Sequence, residues 1–389
     1  MSSKANSAES VPQAEAAWAW FRDMGAPKYW VAPMVDQSEL PFRMLCRRYG
    51  STGAYSPMLH ARLFLESKGY REEHFTTCDR DRPLLAQFCA NDPDILLAAA
   101  REVEDVVDAV DLNLGCPQRI ARRGHYGAFL MDDEPLVVSL VERLAKGLSR
   151  AKVTVKIRRF DDVARTVAYA AALERAGAYL VAVHGRTREQ KTASAVAAEW
   201  EHIAAVKAAL RVPVLANGNI LSLADADRCM AETGADGVLS AEPLLADPGL
   251  FWDRRRQPGG DGGPLEGCRL LLEYLDLCDV YPVPYRMVKG HAFRMIGPWL
   301  SEHTDLRDLL NRGPNPCNEM VRELVTELMD RIEDCGRDHP IPAISEKKLA
   351  KLAAEEAKQA AIAEQLREEE AMAALSKAAA EGKLEPAAP

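Results

Sequence analysis

Between about Lys28 and Asp253 the sequence repeats one unit, a short run rich in Val, Leu and Ala followed by an amphipathic segment with helical spacing. A strand followed by a helix that carries the chain back pairs in parallel with the next strand, so the repeat specifies parallel strands with crossover helices. The predicted strands are Tyr29–Met34, Gly53–Pro57, Pro83–Phe88, Ala109–Leu114, Lys152–Ile157, Tyr179–His184, Val212–Ala216 and Gly237–Ser240. Predicted helices between them include Asp92–Val107, Glu134–Gly147, Asp161–Ala176, Trp200–Leu210 and Ser222–Glu232, several opened by an Asp or Ser that suits an N-cap. Eight such units in about 225 residues is the size of a (β/α)8 TIM barrel, an α/β fold. A doubly wound sheet is the alternative, but no Gly-x-Gly-x-x-Gly follows the first strand to hold dinucleotide phosphates.

The remainder of the 389 residues falls into three stretches around a barrel spanning 28–256. Residues 1–27 are an N-terminal extension. A Gly/Pro-rich break from Gln257 to Pro264 changes the style, and 265–340 reads as a small helical domain punctuated by Pro282, Pro284 and Pro298. From 345 to 389 the chain is almost wholly Ala, Glu, Lys, Gln and Leu, a charged tail that is helical or disordered.

At 48% hydrophobic and 28% charged residues this is an ordinary folded chain. No run approaches the ~18 apolar residues of a membrane span, and the first residues lack the apolar stretch of a signal peptide, so a cytoplasmic or nuclear protein without a membrane partner is expected. Nine scattered Cys with no Cys-x-x-Cys read as reduced thiols, with neither a disulfide framework nor a metal site. The net charge of −9 argues against a broadly basic surface and leaves room only for a local basic patch.

In an α/β barrel the chemistry sits at the C-terminal strand ends. The first strand ends in Pro33-Met34-Val35, the third at Gln87, the fourth in Asn113-Leu114-Gly115-Cys116-Pro117 and the fifth at Lys156. The sixth ends in His184-Gly185-Arg186, the seventh in Asn217-Gly218-Asn219 and the eighth in Ser240-Ala241. One polar strand end is usually a cap or a satisfied turn; this many converging on one mouth form a shared site. Neutral donors and acceptors around one fixed cation suit a planar, anionic, heteroatom-rich cofactor such as a reduced flavin. The Gly-containing turn after the seventh strand brings backbone N–H groups to a phosphate. Cys116 stands between Gly115 and Pro117, ahead of a polar loop; as a thiol at neutral pH it can give a proton, whereas the other Cys read as core filler.

Together, Pro33-Met34-Val35 with Asp36-Gln37-Ser38 and Phe42-Arg43, Asn113-Leu114-Gly115-Cys116-Pro117, Val155-Lys156-Ile157-Arg158, Val183-His184-Gly185-Arg186-Thr187 and Asn217-Gly218-Asn219-Ile220 resemble the tRNA-dihydrouridine synthase family over about residues 28–300. Gln118-Arg119-Ile120-Ala121 leading to Tyr126-Gly127-Ala128-Phe129-Leu130, and Val288-Lys289-Gly290-His291, look like the eukaryotic subfamily that acts on D-loop uridines sixteen and seventeen. Ser240-Ala241-Glu242, where bacterial members carry Gly-Arg-Gly or similar, marks the same subfamily.

The resemblance implies bound FMN, NADPH as reductant and a uracil of the tRNA D-loop as substrate. Hydride from reduced flavin adds at C6 and Cys116, as general acid, protonates C5 to give 5,6-dihydrouridine. By the same resemblance Gln87, Lys156 and His184 hold the isoalloxazine, and Pro33, Met34 and Val35 support the ring. Asn217, Gly218 and Asn219 with Ser240 and Ala241 take the phosphate. Arg119, Arg122, Arg123 and His125 beside Cys116, with Arg158, Arg159, Arg186 and Arg188 on neighbouring strand ends, are expected to form a basic rim for RNA, with Asn113 at the substrate. Tyr285, Arg286, Lys289, His291 and Arg294 are expected on the RNA backbone. A loop uridine largely avoids the unstacking cost of entering such a mouth. A monomer is expected. The competing readings are an FMN barrel acting on a free pyrimidine, like dihydroorotate dehydrogenase, and a tRNA-binding protein without catalysis.

Overall fold

The computed structural model describes residues 5–190, 196–253, 263–313 and 316–340; the expected tail over 345–389 lies outside the described residues. One all-parallel sheet contains β1 (Tyr29–Val31), β2 (Gly53–Tyr55), β3 (Leu59–His60), β4 (Leu84–Cys89), β5 (Ala109–Leu114), β6 (Lys152–Arg158), β7 (Leu180–His184), β8 (Val214–Asn217) and β9 (Gly237–Ser240). β2 pairs with both β1 and β4, and β9 returns to β1 with Ser240 opposite Val31, so eight strands close into a barrel. All eight predicted strands are present. β3 was not foreseen; it is the second strand resumed after a break at Ser56-Pro57, with Tyr55 opposite Leu85 before the break and Leu59 opposite Phe88 after it. Pro57 has no N–H for the ladder, and at the break Ser56 Oγ accepts the Gln87 N–H at 3.0 Å.

Side chains alternate across the barrel wall. Phe88, Val110, Leu112, Val155, Ile157, Val181 and Val183 face outward under the helices. Trp30, Tyr55, Leu85, Ala109, Leu180, Leu215 and Leu239 face inward and fill the lower half as a separate apolar cluster. Above them the inward positions turn polar, as Gln87, Asp111, Asn113, Thr154, Lys156, His184 and Asn217.

The N-terminal extension carries a helix, Ala5–Asp23, that the repeat pattern does not announce. Its Phe21 is buried in the inward cluster with Trp18 edge-on at 5.9 Å, and Trp18 Nε1 donates to Arg211 O at 2.7 Å. This helix closes the floor of the barrel, so the polar layer faces the opposite, C-terminal mouth. Asp92, Asp133, Asp162 and Ser222 each accept a backbone N–H of the first turn of a crossover helix; the cap falls at Asp162, one residue after the predicted Asp161, and the helix Trp200–Ala209 has no side-chain cap. The helix predicted over Asp92–Val107 ends at Arg101; Val103 and Val107 are buried beyond it, so the apolar pattern runs on past the helix end.

Helices Glu266–Val280, Tyr285–Met295, Gly297–Leu300, Thr304–Arg312 and Asn318–Cys335 follow the barrel. Their Leu271, Tyr274, Leu275 and Val288 share one continuous core with Phe42 and Leu45 of the barrel helix Leu40–Arg48. Among the described residues no helix is long and apolar enough to cross a membrane, and no His, Cys, Asp and Glu cluster is placed to hold a metal ion.

Candidate active site at the barrel mouth

A directional hydrogen-bond chain climbs the barrel interior. Thr154 Oγ1 donates to Asp111 Oδ1 (2.7 Å), Gln87 Nε2 to Asp111 Oδ2 (2.8 Å) and Asn113 Nδ2 to Gln87 Oε1 (2.7 Å). The N–H groups of Gly115 and Cys116 then donate to Asn113 Oδ1 at 3.1 and 2.9 Å. A carboxylate only accepts, so Asp111 sets which way the Gln87 amide faces, and Gln87 sets Asn113. Asp111 and Thr154 were not singled out in the sequence; their signal was a polar residue at inward positions of otherwise apolar strands. Burial pushes Asp111 up to about 6, held back by its bonds to Thr154 and Gln87 and by the Lys156 charge.

Cys116 is half-buried beneath its own loop. Ala128 N donates to Cys116 O at 3.1 Å, and Gly127 sits at φ +67°. A Cβ at Gly127 would stand 2.9 Å from Cys116 O and 3.0 Å from Cys116 Cβ, so only glycine lets Tyr126–Ala128 pack this closely against Cys116. Burial pushes the thiol up, against the Gln118 N–H and the Arg158 and Lys156 charges, and it stays protonated.

Lys156, 9% exposed, donates from Nζ to Asn217 Oδ1 at 2.9 Å, and Asn217 Nδ2 donates to Leu239 O at 2.9 Å. Burial and the neighbouring Arg158 bring Lys156 down to about 8. After Asn217 the chain turns through Gly218 (φ +113°) and Asn219 (φ +60°), where a Cβ on Gly218 would lie 2.6 Å from Ala198 Cβ. The N–H groups of Gly218 and Asn219 have no acceptor among the described residues. Ser240 Oγ donates to Ile220 O at 2.9 Å and joins two strand ends, with Ala241 next in the chain. Pro33, Met34 and Val35 follow β1; Met34 N donates to Ser38 Oγ at 3.0 Å and Val35 is exposed.

The expected basic rim divides. Arg119, Arg122, Arg123 and His125, on and just beyond the helix Arg119–Gly124, are exposed, and the three Arg meet no carboxylate among the described residues. Arg158, Arg159 and Arg186 are instead buried, a correction to the rim. Arg158 donates to Gly115 O, Thr187 O and Gln190 O, Arg159 pairs with Glu199, and Arg186 holds Asn219 and His184. Burying a guanidinium requires such partners, and those partners turn it away from solvent. Arg188 is bound to Asp132 (2.5 Å) and Glu189 (3.1 Å), and Asn113 is spent on the chain that seats Cys116.

In the helical region Arg286 pairs with Asp36 and Glu73, Arg294 with Glu242, and Lys289 is half-buried with no acidic partner among the described residues. His291 cannot reach RNA: it is 0% exposed, stacked on Phe42 at 4.3 Å, with Nε2 2.9 Å from Glu39 Oε1. Glu39 also accepts the Tyr274 hydroxyl at 2.8 Å, so the group fastens the helical region to the barrel.

The dihydrouridine synthase (Dus) family model matches residues 30–261. A Mus musculus protein named tRNA-dihydrouridine(16/17) synthase-like is 46% identical over 293 residues, 75% of this chain and 60% of its own length. The Saccharomyces cerevisiae tRNA-dihydrouridine(16/17) synthase is 47% identical over 298 residues, 75% of this chain and 70% of its own. That of Schizosaccharomyces pombe is 43% identical over 333 residues, 81% of each chain. The chain thus spans about 60% of the mouse relative it matches. With the family model covering more than half of it and two yeast relatives aligned over most of both lengths, this chain belongs to the dihydrouridine synthase family.

Proposed function

We propose that this protein is an FMN-dependent oxidoreductase that reduces uridines sixteen and seventeen of the tRNA D-loop, with NADPH as the reductant. The observation that carries the reading is the protonated Cys116 thiol, seated by Asn113 beside a mouth lined with Lys156, His184 and the Asn217–Asn219 turn. Gln87, fully buried beneath them with both ends of its amide engaged, orients Asn113 and does not itself touch a ligand. The relatives' names, NAD(P)(+)-linked tRNA-dihydrouridine(16/17) synthases, support it.

The residues present fit FMN. Lys156 spends one of its three N–H bonds on Asn217 and offers the others, with its charge, to an electron-rich ring edge. The Gly218 and Asn219 N–H groups, which meet no acceptor among the described residues, can serve a phosphate, in a turn too tight for a side chain at Gly218. When bound, the flavin supplies the hydride that reaches uracil C6. Lys156 balances negative charge at the ring, the Tyr126–Ala128 loop holds the Cys116 backbone in place, and Cys116 delivers its proton to C5. Arg119, Arg122 and Arg123, exposed beside Cys116 and meeting no carboxylate among the described residues, take tRNA phosphates, and Lys289 extends the contact onto the helical region. The protein works as a monomer in the cytoplasm or nucleus.

The test is the visible spectrum of the purified protein. Flavin bands near ~375 and ~450 nm, bleached by NADPH and restored anaerobically by unmodified tRNA but not by a free pyrimidine, are expected. Restoration by a free pyrimidine alone would make it a small-molecule reductase. A protein that takes up no FMN would be a binding protein instead.

A further inference from the structure

His184 stands at the end of β7 with one ring edge fully engaged. Arg186 NH1 lies 3.0 Å from His184 Nε2. A guanidinium has five donors, no acceptor and a charge it never loses, so the Nε2 facing it must offer a lone pair. Arg186 has no freedom to turn away: it is 4% exposed, its Nε donates to Val196 O at 2.8 Å and its NH2 to Asn219 Oδ1 at 2.5 Å. Asn219 Oδ1 also accepts the Ala198 N–H at 2.9 Å, which fixes which end of that amide faces Arg186.

Gly218 lies against the same ring edge; a Cβ there would sit 3.2 Å from His184 Cδ2 and 3.4 Å from Nε2. The other edge, with Nδ1, has no protein partner among the described residues. The charged groups that face the ring are Lys156 and Arg158 from β6 and Arg186 beyond β7, all cations. Burial and these three charges pull the imidazole well below its usual range, so it does not take a second proton at neutral pH.

We propose that Arg186 is a positioning residue that holds His184 as the neutral tautomer protonated at Nδ1, making the ring a fixed N–H donor into the barrel mouth. Such a ring selects a ligand atom that accepts, a carbonyl oxygen or an unprotonated ring nitrogen. It neither gives nor takes a proton during the reaction, which leaves Cys116 as the proton donor. The tautomer stands on the free protein; only the identity of the accepting ligand rests on the FMN reading above.

The experiment is a long-range 1H–15N correlation spectrum of flavin-free protein labelled with 15N-histidine, with His184 assigned by the loss of its signals in His184→Gln. A pyrrole-type Nδ1 and a pyridine-type Nε2, unchanged from about pH 5.5 to 8.5, are expected. A proton on Nε2, or a titration within that range, overturns the proposal. In Arg186→Gln, whose amide can accept as well as donate, both tautomers should appear, and FMN should bind about two- to fivefold more weakly, in proportion to the fraction of the Nδ1-protonated form that is lost. A single unchanged tautomer in that variant shows that Arg186 does not set it. Should Arg186→Gln not fold, Arg186→Met, which removes the donor without adding an acceptor, is read in the same way. Adding FMN should shift His184 Nδ1; an intact tautomer with no such shift refutes the FMN contact and leaves the tautomer standing.

Discussion

Replacing Asn113 by Ala removes three hydrogen bonds at once, those to Gln87 Oε1 and from the N–H groups of Gly115 and Cys116. Gln87 is 0% exposed, so its orphaned oxygen costs about 1–3 kcal/mol, whereas the two half-buried N–H groups find water and lose about 0.5 kcal/mol each. The sum, about 2–4 kcal/mol, corresponds to a Tm lower by about 3–6 °C for a folded region of this size. Asn113→Asp is nearly isosteric and keeps the acceptor for Cys116, yet at pH 8 it should be no better than Ala. It turns an oxygen towards Gln87 Oε1, and the Gln87 amide cannot reverse while its Nε2 serves Asp111. Protonation of Asp111 releases that constraint. The Asp111 value, about 6, lies above the unfolded ~3.9, so the stability its proton brings is full below the lower value and lost as pH rises through the upper one. The Tm of Asn113→Asp should therefore rise relative to Asn113→Ala as pH falls from 8 to 5. Thermal unfolding of both variants across that range, with single-turnover tRNA reduction alongside, is the assay. A pH-independent difference, or Asn113→Asp matching the unmodified protein at pH 8, would refute the chain from Asp111 to Cys116.

Lys156, brought down to about 8, has a folded value below the unfolded ~10.4, so its contribution is full above the higher value and lost as pH falls through the lower. Relative to Lys156→Met, the protein should gain stability from pH 8 to 10 while FMN binding to the free protein weakens; a flat FMN affinity across that range would remove Lys156 as the charge at the ring. Phe21→Ala empties the barrel floor and should cost about 3–5 kcal/mol in urea unfolding; a cost under about 1 kcal/mol would mean the N-terminal helix does not seal it. Arg122→Ala combined with Arg123→Ala should weaken tRNA binding and flatten the slope of log K against log salt by about 1.4–1.8, with the flavin spectrum unchanged; an unaltered slope puts both Arg off the RNA.

The eight barrel strands were legible because each is short, apolar and separated from the next by a helix, in several cases one opened by a capping Asp or Ser. A residue such as Lys156 or His184 could be placed at the mouth because parallel strands in a closed barrel all end there. The broken second strand was not legible, since Leu59–His60 is too short for a period to show. Nor was the floor: Phe21 and Trp18 look like any helix face until Trp30, Leu180 and Leu215, far along the chain, close around them.

Arg122 and Arg186 are the same residue type in equally polar surroundings of sequence. One is exposed on a short helix and the other is buried against His184 and Asn219. His291, in a stretch that reads as basic and RNA-facing, is sealed between Phe42 and Glu39 for the same reason. By itself the sequence determined the strand and helix order, the closure into a barrel and the residue types that meet at its mouth, because backbone periodicity and capping are local. Which cations stay free for a ligand, which way Gln87 and His184 face and what holds Cys116 protonated were decided by the tertiary structure alone. Burial, charge pairing and hydrogen-bond direction depend on partners brought together only when the chain closes on itself.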